Sequence, residues 1–149
     1  MKFKGKQEII DHVVAFFKHQ KKPGIRITDD GNLECVYRND KNYCACAIGC
    51  LIPKDQGIEL GCQTLAGAWD DSYISDYFPK EIDLYSFLEE LVYAHDRSAI
   101  RARLHFNKER DPSPFSQEEE QFFMKEFDRR LRIVAVRFNL AYEAGSLES

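Results

Sequence analysis

Residues 81–106, EIDLYSFLEELVYAHDRSAIRARLHF, carry a long helical pattern that sets the fold class. Apolar side chains and one histidine recur at i, i+4, i+7, i+8, i+11 and i+15, which places them on one face of an α-helix. The members of this stripe are Leu84, Leu88, Leu91, Val92, His95 and Ala99. The pattern predicts a helix from about Glu81 to near Phe106.

A second long helix is predicted after the break at Asp111-Pro-Ser-Pro. Ser116 and Glu119 have the spacing of a capping box, in which each side chain accepts a hydrogen bond from the backbone of the other. An apolar stripe follows them at helical spacing. It consists of Phe123, Phe127, Leu131, Val134 and Phe138.

The N-terminal half is predicted to begin with an amphipathic helix over Gln7–Gln20, ended by Pro23-Gly24. Two β-prone runs, Ile25–Thr28 and Leu33–Arg38, flank an Asp-Asp-Gly-Asn turn and predict a hairpin, because Gly and Asn tolerate positive φ. A short helix is expected over Ala45–Ile52, and Pro53 is expected to end it.

Residues 54–80 are rich in turn formers, and short helices are expected there near Thr64–Trp69 and Asp71–Tyr77. The predicted fold class is therefore α+β and mainly helical. It has an N-terminal helix, a short antiparallel hairpin, a short cysteine-bearing helix and two long C-terminal helices. Residues 1–143 are predicted to form one domain, and residues 144–149 a disordered tail or a vector-derived remnant.

Composition excludes several classes of protein. The net charge of -4 argues against nucleic acid as the main partner. No apolar run reaches the roughly 18–20 residues that cross a bilayer, and the first residues lack the apolar core of a secretory signal. The cytoplasm is the expected location. Five cysteines are an odd number, which favours reduced thiols over a disulfide framework.

The stretch NYCACAIGCLIP, residues 42–53, allows three interpretations of its thiols. As a nucleophile, Cys46 would lie at a helix start, His95 would be the general base and Asp96 or another carboxylate would orient it. Asp96 is a poor orienter on this argument, because adjacent helical residues point about 100° apart. As a zinc site, the C-x-C-x3-C spacing differs from the usual paired knuckles. As packing residues, buried cysteines act as small apolar side chains.

Arginine and tyrosine side chains suggest a second type of site. Tyr37 and Arg38 follow the second hairpin strand, and Arg38 is expected either to bind an anion or to pair with Asp96. Further arginines in the two long helices could line an anion pocket, although such runs are commonly solvated. The anion-binding candidates are Tyr37, Arg38, Arg101, Arg129 and Arg132.

Three motifs resemble those of a family of small uncharacterised proteins encoded in tailed phages and scattered through bacterial genomes. They are a C-x-Y-R segment at 35–38, a C-A-x-G-x-L-I-P segment at 46–53, and an L-x-x-x-H-D signature at 91–96. The resemblance covers most of residues 7–140 and implies a small intracellular phage accessory protein. Two features depart from the family pattern: an extension at 97–116, and the additional cysteines Cys44 and Cys50.

Two functions are predicted. The first is a phage-associated, non-enzymatic binding or inhibitory module that acts on a host protein or a small anionic ligand. The alternative is a cysteine-dependent hydrolase or transferase that uses Cys46 and His95. No metal is predicted, because the cysteine spacing is not that of a zinc site. No cofactor is predicted, and Gly57 and Gly61 lack the strand-turn-helix context of a nucleotide-binding phosphate loop. Self-association into a homo-oligomer stays open.

Overall fold

The computed structural model describes residues 2–71 and 74–148. This part of the chain forms five α-helices, two 3-10 helices and one two-stranded antiparallel sheet, which confirms the mainly helical α+β prediction. In chain order the elements are α1 Lys6–Gln20, β1 Ile25–Ile27, β2 Leu33–Cys35, a 3-10 helix Gly49–Leu51, α2 Lys54–Leu60, α3 Leu65–Asp71, a 3-10 helix Ile74–Tyr77, α4 Leu84–His105 and α5 Gln117–Arg137. Of these helices, none combines the length and the apolar character that a membrane span requires.

The two long helices lie side by side and run in opposite directions. Glu90, in the first half of α4, pairs with Arg137 at the end of α5, and Arg103 near the end of α4 pairs with Glu119 at the start of α5. The predicted apolar stripes of both helices face the core. Phe17 of α1 packs against both long helices, with its ring centroid 4.9 Å from that of Phe127 in α5 and 5.8 Å from that of His95 in α4.

The predicted helix over Ala45–Ile52 is wrong for most of its length, because the chain pairs with the hairpin instead. The backbone N–H of Asn39 donates to the carbonyl of Cys44 at 2.8 Å, and Ala45 forms an antiparallel bridge with Arg38. The side-chain amide of Gln20 also donates to and accepts from the backbone of Ala45, at 2.9 Å each. The regular helix in this segment is therefore only the short 3-10 helix Gly49–Leu51.

Other differences from the predictions are local. Helix α2 lies within residues 54–80, which were expected to be mainly turns, and it begins directly after Pro53. The predicted helix over Asp71–Tyr77 is described only as the 3-10 helix Ile74–Tyr77, because residues 72 and 73 lie outside the described part. Residues 144–148, expected to be disordered, fold against α5, where Leu147 is 3% exposed.

Candidate functional site

His95 lies at the centre of the molecule and has partners at both ring nitrogens. The backbone N–H of Gly24 donates to Nε2 at 2.9 Å, so Nε2 must be unprotonated. A neutral imidazole carries one proton, which therefore resides on Nδ1, 2.8 Å from Oδ1 of Asp96. The ring is thus held as the neutral tautomer that donates to Asp96.

The surroundings of His95 fix the orientation of its ring. The side chain is fully buried, and its centroid lies 5.5–5.9 Å from those of Phe17, Phe123 and Phe127. Gly24 reaches the ring only because it lacks a Cβ, which would overlap the backbone of Ala45. The Pro-Gly pair after α1 therefore lets the chain pass close enough to bind His95.

Asp96 connects His95 to the surface. The expectation that an adjacent residue would orient His95 poorly is wrong, because the two side chains bend toward each other from neighbouring helix positions. The Asp96 side chain is 30% exposed. Cys35 of β2 lies beside it, with Sγ within 4.8 Å of both the carboxylate and the imidazole. Burial, together with the Asp96 charge, raises the pKa of the Cys35 thiol far above its usual range.

Cys46 is a buried, protonated thiol in this arrangement. Its Sγ accepts a hydrogen bond from the backbone N–H of Gly49 at 3.4 Å, and the side chain is 5% exposed. Burial, with a smaller contribution from the Asp96 charge, raises the pKa of Cys46 to about 12. Since the thiolate is the nucleophilic form, this environment disfavours attack by Cys46.

Cys50, in the same stretch, is a packing residue as well. Cys50 is buried and donates its S–H to the carbonyl of Ala47 at 3.2 Å, and burial raises the pKa of its thiol. Position 49 accepts only glycine, because a Cβ there would overlap the carbonyl oxygen of Tyr37. The small residues of NYCACAIGCLIP let this segment lie directly on the hairpin.

The donor atoms of Cys35, His95 and Asp96 lie within 4.8 Å of one another, as in a three-ligand metal site. The histidine tautomer does not suit a metal, however. Only Nδ1 faces the other two donors, and it carries the ring proton while Nε2 accepts from Gly24. A metal ligand must offer an unprotonated nitrogen, so binding would require loss of that proton or of the Gly24 hydrogen bond.

A groove of about 580 Å³ opens over this network, between β2, the segment before α3, and α4. Asp96, Cys35, Cys46 and Tyr37 all line it. Its walls are mainly apolar. They include Leu33, Leu65, Val92, Tyr93 and Ile100. The charged side chains on its lining are three carboxylates and one guanidinium. These are Glu34, Glu89, Asp96 and Arg97.

A larger depression of about 690 Å³ lies between α1 and the start of α5. Its lining is mostly exposed lysine and glutamine, and it contains none of the predicted site residues. Solvated side chains of this kind are mobile and carry little specificity. The smaller groove over Asp96 is therefore the better candidate site.

The predicted pair between Arg38 and Asp96 is not formed. Arg38 instead donates from Nη1 to the carbonyl of Tyr43 at 2.8 Å, and its guanidinium carbon lies 5.4 Å from the ring centroid of Phe16. Asp96 pairs with His95 instead, at 2.8 Å. Arg38 therefore stabilises the turn at residues 39–44.

The remaining candidate arginines do not converge. Arg129 pairs with Glu126 of its own helix, while Arg101 and Arg132 are exposed on α4 and α5. None of the four predicted arginines lines the groove; of the anion-binding candidates, only Tyr37 does. The sequence pattern could not show that these arginines lie on separate surfaces, or that a carboxylate neutralises Arg129.

Several groove residues were not singled out from the sequence, Glu34, Glu89 and Ile100 among them. One signal was present. Glu89, Val92, Asp96 and Ile100 are spaced three, four and four residues apart, so they form a second stripe beside the buried face of α4. A mixed apolar and acidic stripe of this kind indicates a surface that is half-buried.

Comparisons with protein-family models, curated proteins and solved structures give no match for this chain. The resemblance to the phage-encoded family accordingly stays a prediction.

Proposed function

We propose that this protein is a non-enzymatic binding module that holds a partner protein in the groove over Asp96. The observation that carries the proposal is the hydrogen bonding of His95 and the burial of Cys46 beneath the groove. Both nitrogens of His95 are occupied, and Cys46 is buried and protonated, so the groove offers recognition surface rather than a poised nucleophile. A host protein in the bacterial cytoplasm is the partner that the phage resemblance implies.

The shape and chemistry of the surface favour a protein partner over a small anion. The groove lining has three carboxylates and one guanidinium, and this excess of negative charge repels anions. Tyr93 and Ile100 of the groove wall are 57% and 38% exposed, and the apolar surface continues along α4 beyond the groove to Leu104, which is 40% exposed. Exposed aromatic and aliphatic side chains next to a concave surface are typical of protein interfaces.

Site-specific photo-crosslinking tests the proposal. A benzoylphenylalanine at Gln63, an exposed position on the groove, should capture one partner protein from cells, and the same group at Gln121, exposed on α5, should not. Excess wild-type protein should compete for capture, whereas an Ile100→Glu variant should compete poorly because it places a charge on the apolar wall. Equal capture at both positions, or equal competition by both proteins, would refute a role for the groove.

The cysteine hydrolase is the second candidate, favoured by one observation: Cys46 and Asp96 line the same groove. It requires His95 to leave Gly24 and turn toward Cys46. Alkylation by iodoacetamide distinguishes the two functions. For a binding module, exposed Cys62 reacts at once and Cys46 reacts only on unfolding. Rapid alkylation of Cys46 in the native protein would favour the hydrolase.

A further inference from the structure

We propose that the partner inserts a basic side chain, Lys or Arg, into the groove so that its charge meets Asp96 while apolar neighbours contact the walls. This inference rests on the proposed function and names the chemistry that the groove recognises. It follows from the charge on Asp96, the charges around it and the apolar surface beside it.

Asp96 carries a charge that its immediate partner does not compensate. Because Gly24 holds Nε2 as an acceptor, His95 donates to Asp96 as a neutral ring. Among the ion pairs of the described residues, Asp96 contacts only this histidine. A carboxylate has about four acceptor positions; His95 and the neutral Cys35 thiol occupy two of them, and 30% of the Asp96 side chain is exposed. A partly buried carboxylate that has only neutral partners is unfavourable, and a cation from a ligand would relieve it.

The charges on the groove rim leave the site acidic. Glu34 is paired with Arg26 at 3.0 Å, but Glu89 has no such partner among the described ion pairs. The only lining cation, Arg97, lies over the ring of Tyr93 at 5.5 Å. Asp96 and Glu89 thus line the groove with only one arginine beside them, and charge complementarity selects a cationic ligand.

Apolar surface flanks Asp96 on both sides. Val92 and Ile100 lie one turn before and one turn after it on α4, and Leu33 and Leu65 line the opposite side of the groove. Lysine and arginine have apolar stems that cover such surface while the charged group reaches a polar partner. A basic residue between two apolar residues of the partner therefore matches the groove.

Two short peptides test the inference. The first is N-acetyl-Leu-Arg-Leu-amide, and the second replaces arginine with citrulline, which keeps the shape but removes the charge. Amide chemical shifts of the full-length protein should change at Cys35, Leu65, Asp96 and Ile100 on titration. The arginine peptide should bind about tenfold or more tightly than the citrulline peptide, since hydrogen bonds between charged groups contribute at least this factor. Asp96→Asn should abolish the preference.

A second pair of variants keeps the test decisive if Asp96→Asn disturbs folding. Gln63→Lys adds a cation to the groove at an exposed position, and Gln121→Lys makes the same change on α5. Only Gln63→Lys should weaken binding of the arginine peptide, and neither should affect the citrulline peptide. Equal affinity for both peptides overturns the inference but leaves the groove as a binding site. If neither peptide perturbs the groove, the inference also fails, and the crosslinking result alone decides the proposed function.

Discussion

His95 occupies a position on an apolar stripe because two polar partners meet it there. The Gly24 N–H and the Asp96 carboxylate satisfy its ring nitrogens, and three phenylalanine rings enclose the remainder. A buried polar group is tolerated when its hydrogen bonds are complete. The ring therefore connects the segment after α1 to α4 and, through Asp96, to the groove.

Replacing His95 separates these contributions. His95→Leu should lower the free energy of unfolding by about 2–4 kcal/mol, because Gly24 keeps a buried N–H without an acceptor. His95→Gln should lose less, since its amide oxygen can accept from Gly24. Urea denaturation measures both, with His19→Leu on the exposed face of α1 as the control. Equal losses for Leu and Gln would contradict the assigned role of Nε2.

Ionisation of Cys46 should make the free energy of unfolding depend on pH in the alkaline range. Its pKa in the folded protein is about 12, raised by burial from a usual value of 9.0, so the folded state retains a proton that the unfolded state releases. The contribution is complete below about pH 9 and is lost as the pH rises toward 12, at roughly 1 kcal/mol per pH unit for each such thiol. Urea midpoints measured between about pH 8 and pH 10.5 should fall less steeply for Cys46→Ala.

Cys62→Ala is the control for this experiment, because it removes an exposed thiol rather than a buried one. If Cys46→Ala and wild type lose stability in parallel, Cys46 ionises as readily in the folded state as in the unfolded chain. That result would also support the hypothesis that Cys46 is a nucleophile.

At the level of elements, the start of α5 combines a helix cap with a buried ion pair. Glu119 accepts from the backbone N–H of Ser116 at 3.0 Å, as the capping-box pattern predicted. The same carboxylate also accepts from Arg103 of α4 and from Lys108 of the connecting loop. Arg103 further contacts the carbonyl of Ser113, so a single cluster ties α4, the loop and α5 together.

Arg103→Met should be strongly destabilising, by about 3–5 kcal/mol, because it leaves the carboxylate of Glu119 fully buried with only Lys108 as a cation. Arg129→Met is a matched control. Arg129 pairs with Glu126 on the exposed side of α5, where such pairs contribute about 0–1 kcal/mol. Thermal or urea unfolding of the two variants checks the difference. Similar losses would mean that burial adds nothing to the Arg103 pair.

Local signals predicted the elements that depend on local interactions. The long helices followed from periodic side chains and the cap at Ser116, and the hairpin followed from its turn. The extended conformation at Ala45 could not be predicted in the same way, because its backbone N–H and carbonyl both bond to the side chain of Gln20, 25 residues earlier in the sequence. The groove was missed in part for the same reason, since β2 and α4 meet only after folding.

For the whole molecule, the last described segment closes the structure against two helices. Gln7 of α1 exchanges two hydrogen bonds with the backbone of Ala141, at 2.9 and 3.0 Å. Asp128 of α5, which is 6% exposed, accepts from the Tyr142 hydroxyl and from two backbone N–H groups beyond it. Leu147 is thereby held in the core, so this mostly small and polar segment packs against α5.

Asp128→Asn should release this segment without unfolding the remainder. The amide group places an N–H₂ donor opposite at least one of the three donors that now bind the carboxylate, at 2.7 Å for Tyr142, 2.9 Å for Gly145 and 3.1 Å for Leu147. Hydrogen exchange should therefore accelerate in residues 142–148 while α4 and the centre of α5 stay protected. Asp55→Asn, at an exposed position in α2, is the control. Unchanged exchange in residues 142–148 would mean that Leu147, rather than Asp128, holds the segment in place.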